Sequence, residues 1–277
     1  MGTPFISLLE PTKLDGYDRG KPHDQQPASI PRVFMDAMEV RESVFVREQG
    51  VPLEFEHDGD DARSLHWVVY ASVNQVVAQE RRDAAGNVVQ PRRSSTRTQP
   101  IGTVRLVPFP HPPHPERGGR YVDNLLQNEA ELASSLTASQ EARVSAAQPY
   151  GRDRPTTLHD GLEPYVKIGR LAVVKEFRGH RIAGQLWAAA RAWLENNQDY
   201  FNPSVQELGL DALKAGVNDV PRWNGLVGVH AQEDVVPVWE RWGFQVDEGM
   251  GRWWEEGIPH VGMFLRLKLK DKPITIS

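Results

Sequence analysis

The chain has 277 residues, with 32 Lys and Arg against 37 Asp and Glu, which gives a formal net charge of −5. This length and a hydrophobic content of 39% fit a single domain over residues 1–277 that carries insertions. The acidic balance argues against a nucleic-acid partner bound through bulk charge, and the absence of cysteine excludes disulfides, a thiol nucleophile and Cys-ligated zinc.

The N-terminal third begins with a short strand over Phe5–Leu9 inside a polar segment rich in Pro and Gly. From Pro31 the apolar spacing predicts a helix, which Gly50-Val51-Pro52 ends. No apolar run approaches the roughly 20 residues that span a bilayer, and the N-terminus lacks a signal pattern. We therefore expect no membrane partner and a cytoplasmic protein, with the nucleus not excluded.

Two strands and two long insertions follow. Alternating apolar residues predict strands around Leu65–Val69 and Gly102–Leu106. The stretch between them, at about 79–100, is polar and is predicted to be a loose connection. The second insertion, at about 108–162, begins Pro-rich and is predicted to hold a helix around Val122–Leu136.

The best-patterned segment is a strand, a turn and a helix. Val166 and Ile168 share a strand face, and the apolar phase then shifts, which indicates a β-bulge near Gly169-Arg170. After Arg178-Gly179, apolar positions from Ile182 to Leu194 fit a helical period of 3.6.

The C-terminal part is predicted to hold a short strand at Val227–Val229 and a helix capped by Asp234 and ended by Gly243. Two strands, Phe244–Asp247 and Val261–Lys270, close the chain. The order indicates a mixed α/β fold with one central sheet.

The turn before the long helix is suited to bind an anion. The first turn of a helix leaves backbone N–H groups without acceptors, and the positive end of the helix dipole lies there. Gly179 allows close approach of a ligand, and Arg178 and Arg181 add charge suited to a diphosphate. The alternative is a solvated basic loop.

This turn resembles the pyrophosphate motif of the GNAT superfamily of N-acetyltransferases, Arg/Gln-x-x-Gly-x-Gly/Ala. The segment Arg178-Gly179-His180-Arg181-Ile182-Ala183 matches its first and last positions, with Arg181 in place of the inner Gly. The resemblance extends, in family order, over roughly residues 33–268. It includes the segments Arg41-x-x-Val44-Phe45-Val46-x-Glu48-Gln49-Gly50, His230-Ala231-Gln232 and Glu256-Gly257-Ile258-Pro259-His260.

The resemblance implies a GNAT fold with a mixed, mostly antiparallel sheet, a strand splayed at the bulge, and flanking helices. It implies acetyl-CoA as co-substrate, with the pantetheine arm along Leu171, Ala172 and Val173. The diphosphate would lie on the backbone from Arg178 through Gly179, His180, Arg181, Ile182 and Ala183 to Gly184. It also implies direct attack of an acceptor amine on the thioester.

The residue that protonates the leaving thiolate departs from the family pattern. Many members have a Tyr four residues before a Gly-Phe pair, and here that cofactor-facing position is Trp239, whose indole N–H is not acidic enough. This departure leaves three alternatives. Water protonates the thiolate, another residue takes the role of the Tyr, or the protein binds acetyl-CoA without fast turnover.

Three side chains are candidates for the catalytic base: His260, Glu256 and His230. His260 begins the last strand with parity opposite to Val261, and an unperturbed imidazole titrates near pH ~6.5. The alternative for His260 is a histidine that only makes hydrogen bonds at the start of a strand. His230, just before the helix that carries Trp239, fits a structural cap or a packing residue better than a base. No metal site is expected, because the acidic run between Glu54 and Asp61 lacks EF-hand spacing, and His111 and His114 lack a suitably spaced carboxylate.

Candidate acceptor-binding residues are the carboxylates Glu48 and Glu56 and the aromatic pair Trp253 and Trp254. Carboxylates attract an ammonium, and aromatic rings hold a cation or a sugar ring. A solvated acidic loop and a hairpin packed on the core are the alternatives.

The predicted function is acetylation of a primary amine of a small molecule, with amino sugars and polyamines among the acceptors considered. The alternatives are acetylation of a protein lysine or N-terminus, and a non-catalytic acyl-CoA sensor. A homodimer is compatible with the sequence.

Overall fold

The computed structural model describes residues 4–127, 153–202 and 222–269. Its strands are β1 (Phe5–Leu9), β2 (Leu65–Ala78), β3 (Arg81–Arg82), β4 (Val88–Gln90), β5 (Arg93–Val107), β6 (Arg120–Val122), β7 (Leu125–Leu126), β8 (Val166–Val173), β9 (Leu226–Gln232), β10 (Gln245–Val246), β11 (Arg252–Glu255) and β12 (Ile258–Arg266). Its α-helices are α1 (Arg32–Arg41), α2 (Leu53–Glu56), α3 (Ile182–Asn196) and α4 (Val236–Arg241). This is the predicted mixed α/β class, and most strand pairs are antiparallel.

The chain forms two compact units. Unit 1 comprises Met1–Glu56, His66–Val104 and Arg170–Ala189. Unit 2 comprises His57–Leu65, Arg105–Gly169 and Ala190–Ser277.

Unit 1 places α1 against a sheet. Strand β1 pairs antiparallel with β2, from Phe5 opposite Tyr70 to Leu9 opposite His66. Phe34 and Met38 of α1 are fully buried and pack with Ile30. A π-helical turn, Glu42–Glu48, continues α1, and Gly50, with φ of 77°, follows it as predicted.

Unit 2 is built on the antiparallel pair β9 and β12, which runs from His260 opposite Gln232 to Arg266 opposite Leu226. Strand β11 pairs antiparallel with β12, and the beginning of β8 pairs parallel with β9. A core cluster of Tyr165, Leu226, Met250, Trp253 and Phe264 fills one face.

The predicted bulge coincides with a backbone irregularity in β8. Its ladder with β9 comprises Val166, Lys167 and Ile168, and Arg170 has a φ of 49°. A residue other than glycine with positive φ interrupts regular strand geometry.

Three expectations need correction. The segment at about 79–100 is not a loose connection, because it contains β3, β4 and the beginning of β5. The helix expected around Val122–Leu136 is wrong where the structure describes it, because β6 and β7 pair there. Residues 128–136 lie outside the described part.

The third correction concerns the helix after β9. Its N-cap is Val235, and no side chain caps it, so Asp234 does not have that role. A 3-10 turn over Glu233–Val235 precedes the helix instead, and Gly243 follows it with φ of 95°. The hairpin strand β11, which carries Trp253, was not predicted.

Candidate active site

The turn between β8 and α3 lies in unit 1 and leaves backbone open to solvent. Arg178, Gly179, His180 and Arg181 are all exposed. Gly179 has a φ of 80°, and apart from its two chain neighbours no residue has an atom within 4 Å of the position that a Cβ would occupy. The beginning of α3 adds N–H groups without intrahelical acceptors. These residues therefore fit a diphosphate.

Arg181 explains how the chain departs from the motif that it resembles. Its φ is 61°, in the left-handed region that glycine occupies without strain. Arg181 therefore adopts the left-handed backbone conformation that a Gly would favour at this position of the motif. A non-glycine residue there costs on the order of 1 kcal/mol and adds a cation beside the turn.

The guanidinium of Arg178 is held at the turn by two contacts. Its Nε donates to the carbonyl oxygen of Val173 at 2.9 Å, and one terminal nitrogen lies 2.7 Å from Oε2 of Glu48. Glu48, an acceptor-binding candidate from the sequence, thus pairs with the cation expected to bind the diphosphate. A phosphate oxygen would compete with this carboxylate.

Close packing fixes the strand that leads into the turn. The N–H of Val174 donates to the carbonyl oxygen of Ile101 at 3.0 Å. A Cβ on Gly102 would lie 3.1 Å from the carbonyl oxygen of Ala172 and 3.0 Å from Ile182. The three strand residues expected along the pantetheine, Leu171 to Val173, therefore lie in a closely packed part of unit 1.

A buried ion pair stands beside this strand. Arg41 and Glu56 are 1% and 3% exposed, and Nε of Arg41 lies 2.6 Å from Oε1 of Glu56. Nε of Arg170, at the irregularity in β8, lies 3.2 Å from the same oxygen. Glu56, proposed from sequence to bind an acceptor, thus holds two arginines of unit 1.

In unit 2, one face of the β9, β12 and β11 strands carries a hydrogen-bonded polar cluster. Nδ1 of His230 lies 3.1 Å from Oε1 of Glu255, and the indole N–H of Trp253 donates to the same oxygen at 2.8 Å. Trp253 is fully buried and packs edge-to-face on His230. Trp253 therefore positions Glu255 from within the core.

The hydrogen bond defines the tautomer of His230. A carboxylate can only accept, so Nδ1 carries the proton and Nε2 of the neutral ring has a free electron pair. Burial lowers the pKa of His230, although the bond to Glu255 opposes this effect, and the charge of Lys167 lowers it further. His230 is thus arranged to be a neutral base near pH 7.

Glu255 stays ionised in this setting. Burial alone would raise the pKa of Glu255, but the hydrogen bond from His230, the charges of His230 and His260, and the Trp253 N–H hold that pKa well below its usual range. Sequence reasoning named the neighbouring Glu256 instead. The signal for Glu255 was its two-residue spacing from Trp253, which puts both on one strand face.

His260 lies in the same cluster, but its Nε2 faces Glu255, whereas His230 faces Glu255 with its Nδ1. Its Nδ1 lies 2.8 Å from the carbonyl oxygen of Ile258, and its Nε2 lies 3.9 Å from Oε2 of Glu255. Nδ1 therefore carries a proton, and Nε2 faces the carboxylate. The ring is stacked near Trp253 at 6.3 Å between centroids.

The structure places the remaining candidates elsewhere in unit 2. Glu256 lies in the β11–β12 turn with φ of 50°, and its Oε1 accepts a hydrogen bond from the backbone N–H of Asp123. Trp254 is covered by the guanidinium of Arg120 at 5.0 Å. Trp239 is 3% exposed and packs edge-to-face on Trp242 and Phe244.

Neither a metal site nor a membrane-spanning helix is found in the described part of the chain. Within residues 4–127, 153–202 and 222–269, no group of three or more His, Asp or Glu is arranged to hold a metal ion. In the same ranges, no helix is long and apolar enough to cross a membrane.

Comparison with other proteins finds similarity only among solved structures. No family profile and no curated protein sequence matches the chain. A Lactobacillus plantarum protein described as a proposed N-acetyltransferase is 18% identical, with 96% of this chain and 100% of that chain covered and a TM-score of 0.42. Escherichia coli ElaA is 16% identical over 95% of this chain and 99% of its own, with a TM-score of 0.40.

An acyl-CoA N-acyltransferase from Pseudomonas aeruginosa is likewise 16% identical, with 95% of this chain and 99% of that chain covered and a TM-score of 0.39. At such scores, the similarities are too distant to support a function.

Proposed function

We propose that this chain is an acetyl-CoA-dependent N-acetyltransferase that acts on the primary amine of a small molecule. The observation that carries the proposal is the turn Arg178–Arg181. It joins positive-φ backbone at Gly179 and Arg181, two arginine side chains and a helix N-terminus in the motif order of the GNAT superfamily.

The co-substrate is assigned to the β8–α3 turn and the strand residues before it. The backbone N–H groups from Arg178 to Gly184 would hold the diphosphate, and the strand residues Leu171 to Val173 would pair with the pantetheine arm. Acetyl-CoA supplies an activated acetyl thioester. The chain needs no covalent intermediate, in agreement with the absence of cysteine.

We assign proton removal from the acceptor to His230. Nε2 of the neutral imidazole accepts a proton from the substrate ammonium, and Glu255 stabilises the resulting imidazolium. The freed amine attacks the thioester carbonyl, so that a C–N bond forms and the C–S bond breaks. As the C–S bond breaks, the nitrogen gives its second proton to water, and the leaving thiolate takes a proton from water or from a residue other than Trp239.

This assignment ranks the bases differently from the sequence. His260 was the first sequence candidate, but its Nε2 faces Glu255, whereas the Nε2 of His230 is free of that contact. Glu256, in the β11–β12 turn, is not used as the base, because its Oε1 accepts a hydrogen bond from the backbone N–H of Asp123. Glu255 supplies the carboxylate that the proposal uses.

The deciding experiment measures binding and turnover on one sample. We expect acetyl-CoA to raise the unfolding midpoint and an amine panel to release free thiol for one class of small amine. Stabilisation with thiol release only for peptides would indicate a protein acetyltransferase, and stabilisation without release would indicate an acyl-CoA sensor. No stabilisation would reject the assignment of the turn.

A further inference from the structure

Residues 79–100 form a basic segment on an acidic chain. The segment holds five Arg, Glu80 and Asp83, a net charge of +3, whereas the rest of the chain carries 27 basic and 35 acidic residues, a net charge of −8. It comprises β3, β4 and the first half of β5, and every residue from Pro91 to Thr98 is exposed. We call it the basic arm.

Most of this charge is uncompensated. Arg82 is paired with Glu80 at 2.8 Å, but Arg81, Arg92, Arg93 and Arg97 form no ion pair with any residue in the described ranges. These four exposed guanidinium groups can therefore form charge-assisted hydrogen bonds with the carboxylates or phosphates of a partner.

The arm sequence Arg92-Arg93-Ser94-Ser95 places two arginines two and three residues before a serine. Residues 93–98 are in the extended conformation of β5. Serine/threonine kinases bind extended segments that expose a hydroxyl group. The charges near that hydroxyl must complement the charges in the kinase's groove. The pair of arginines fits a groove lined with carboxylates.

The strand geometry distinguishes Ser95 from its neighbours. Oγ1 of Thr96 donates to Oδ1 of Asn74 at 2.7 Å, which places Ser94, Thr96 and Thr98 on the face toward that contact. Ser95 shares the other face with Arg93 and Arg97. Its exposed hydroxyl has no hydrogen-bond partner among the described residues.

We propose that Ser95 is a phosphorylation site for an arginine-directed serine/threonine kinase. The kinase would supply ATP as the phosphoryl donor. Oγ of Ser95 attacks the γ-phosphorus, its proton passes to the kinase's base, and ADP leaves. This inference is independent of the acetyltransferase proposal, because no residue of the basic arm belongs to either candidate site.

Phosphorylation would remove most of the positive charge of this surface. The phosphate adds about −2 charge at pH 7, which brings the arm from +3 to about +1. Arg93 and Arg97 are two residues away on the same face, about 7 Å along the strand, within reach of a phosphate on Ser95. The modification would thus replace an exposed cationic strip by internal ion pairs.

The test uses the full-length chain, ATP and the catalytic subunit of the cyclic-AMP-dependent protein kinase, which prefers Arg-Arg-x-Ser. Mass spectrometry should find one phosphate on Ser95. The variant Ser95→Ala should lose at least about nine-tenths of the incorporation, whereas the matched variant Ser94→Ala should keep it. Replacing Arg92 and Arg93 by Ala together should reduce incorporation by about tenfold or more.

Three results would overturn the proposal. These are no phosphate on the folded chain, phosphate on Thr96 or another hydroxyl in place of Ser95, and equal incorporation in Ser95→Ala and Ser94→Ala. Circular dichroism of each variant checks that the exposed substitutions leave the fold unchanged.

Discussion

His230 and Glu255 share a hydrogen bond of 3.1 Å between Nδ1 and Oε1, and this bond leaves Nε2 of His230 as the nitrogen with a free electron pair. We predict that His230→Gln lowers kcat by roughly 10²–10⁴-fold, the range found for loss of a general base. Acetyl-CoA affinity, measured by thermal shift, should stay the same. His260→Gln is the matched control, and an equal loss of kcat in both variants would contradict the choice of base.

The pH dependence of turnover follows from the same pair. The pKa of His230 lies below its ordinary value of 6.5, so the ring is neutral at pH 7 and the rate should fall only at lower pH, as the ring becomes protonated. In Glu255→Gln, the bond that raises this pKa loses its charge, so the acid limb should move to still lower pH. We also expect kcat to fall by about tenfold or more, because the imidazolium is less stabilised. A limb that moves to higher pH would refute the pairing.

The pairing of Arg178 with Glu48 predicts opposite effects of two substitutions on co-substrate binding. Arg178→Ala removes a cation from the turn and should weaken acetyl-CoA binding about tenfold, the effect of losing a charge-assisted hydrogen bond. Glu48→Gln removes the competing carboxylate and should strengthen binding or leave it unchanged. Calorimetric titration measures both.

Arg191→Ala controls for loss of a surface arginine. Arg191 is exposed to a similar extent, and its Nε lies 2.8 Å from Oε1 of Glu195, close to the 2.7 Å of the Arg178–Glu48 pair. Its acetyl-CoA affinity should equal that of the unmodified chain. If Glu48→Gln binds acetyl-CoA more weakly, the carboxylate contributes to binding rather than competing with it.

The sequence predicted the elements that have strong local signals. The helix from Ile182 and the strand irregularity at Arg170 follow from the apolar period and its change of phase. The basic arm was not predicted as strands, because its exposed β3 and β4 carry no alternating apolar pattern. Hairpin contacts of this kind depend on pairing between residues that a local pattern does not reveal.

In the candidate sites too, contacts between residues close in sequence were predicted, and contacts made by strand pairing were not. The turn at Arg178 was predicted because its residues are contiguous. The bond between Glu255 and His230 was not, because it requires the pairing of β11 with β12 and of β12 with β9. Likewise, the role of Glu56 depends on Arg41, which is 15 residues away along the chain.

The buried pair Arg41 and Glu56 should be important for stability. Arg41→Met leaves the Glu56 carboxylate buried, with Arg170 as its remaining cation among the described residues. We expect a loss of about 3–5 kcal/mol in the free energy of unfolding. Arg32→Met removes an arginine that is 81% exposed and pairs with Asp36, so it should cost about 0–1 kcal/mol. Chemical denaturation compares the two, and similar losses would show that burial does not distinguish these pairs.

His23 should make stability depend on pH near neutrality. The hydrogen bond from its ring to Glu42 raises the pKa of His23 above its unfolded value of 6.5, against the effect of burial. A histidine with a raised folded pKa stabilises the fold fully below pH 6.5, and this contribution disappears as the pH rises through the folded pKa. The free energy of unfolding should therefore decrease over that interval, and His23→Gln should flatten the decrease. Denaturant titrations at several pH values measure the difference, and an unchanged slope in the variant would contradict the role of this pair.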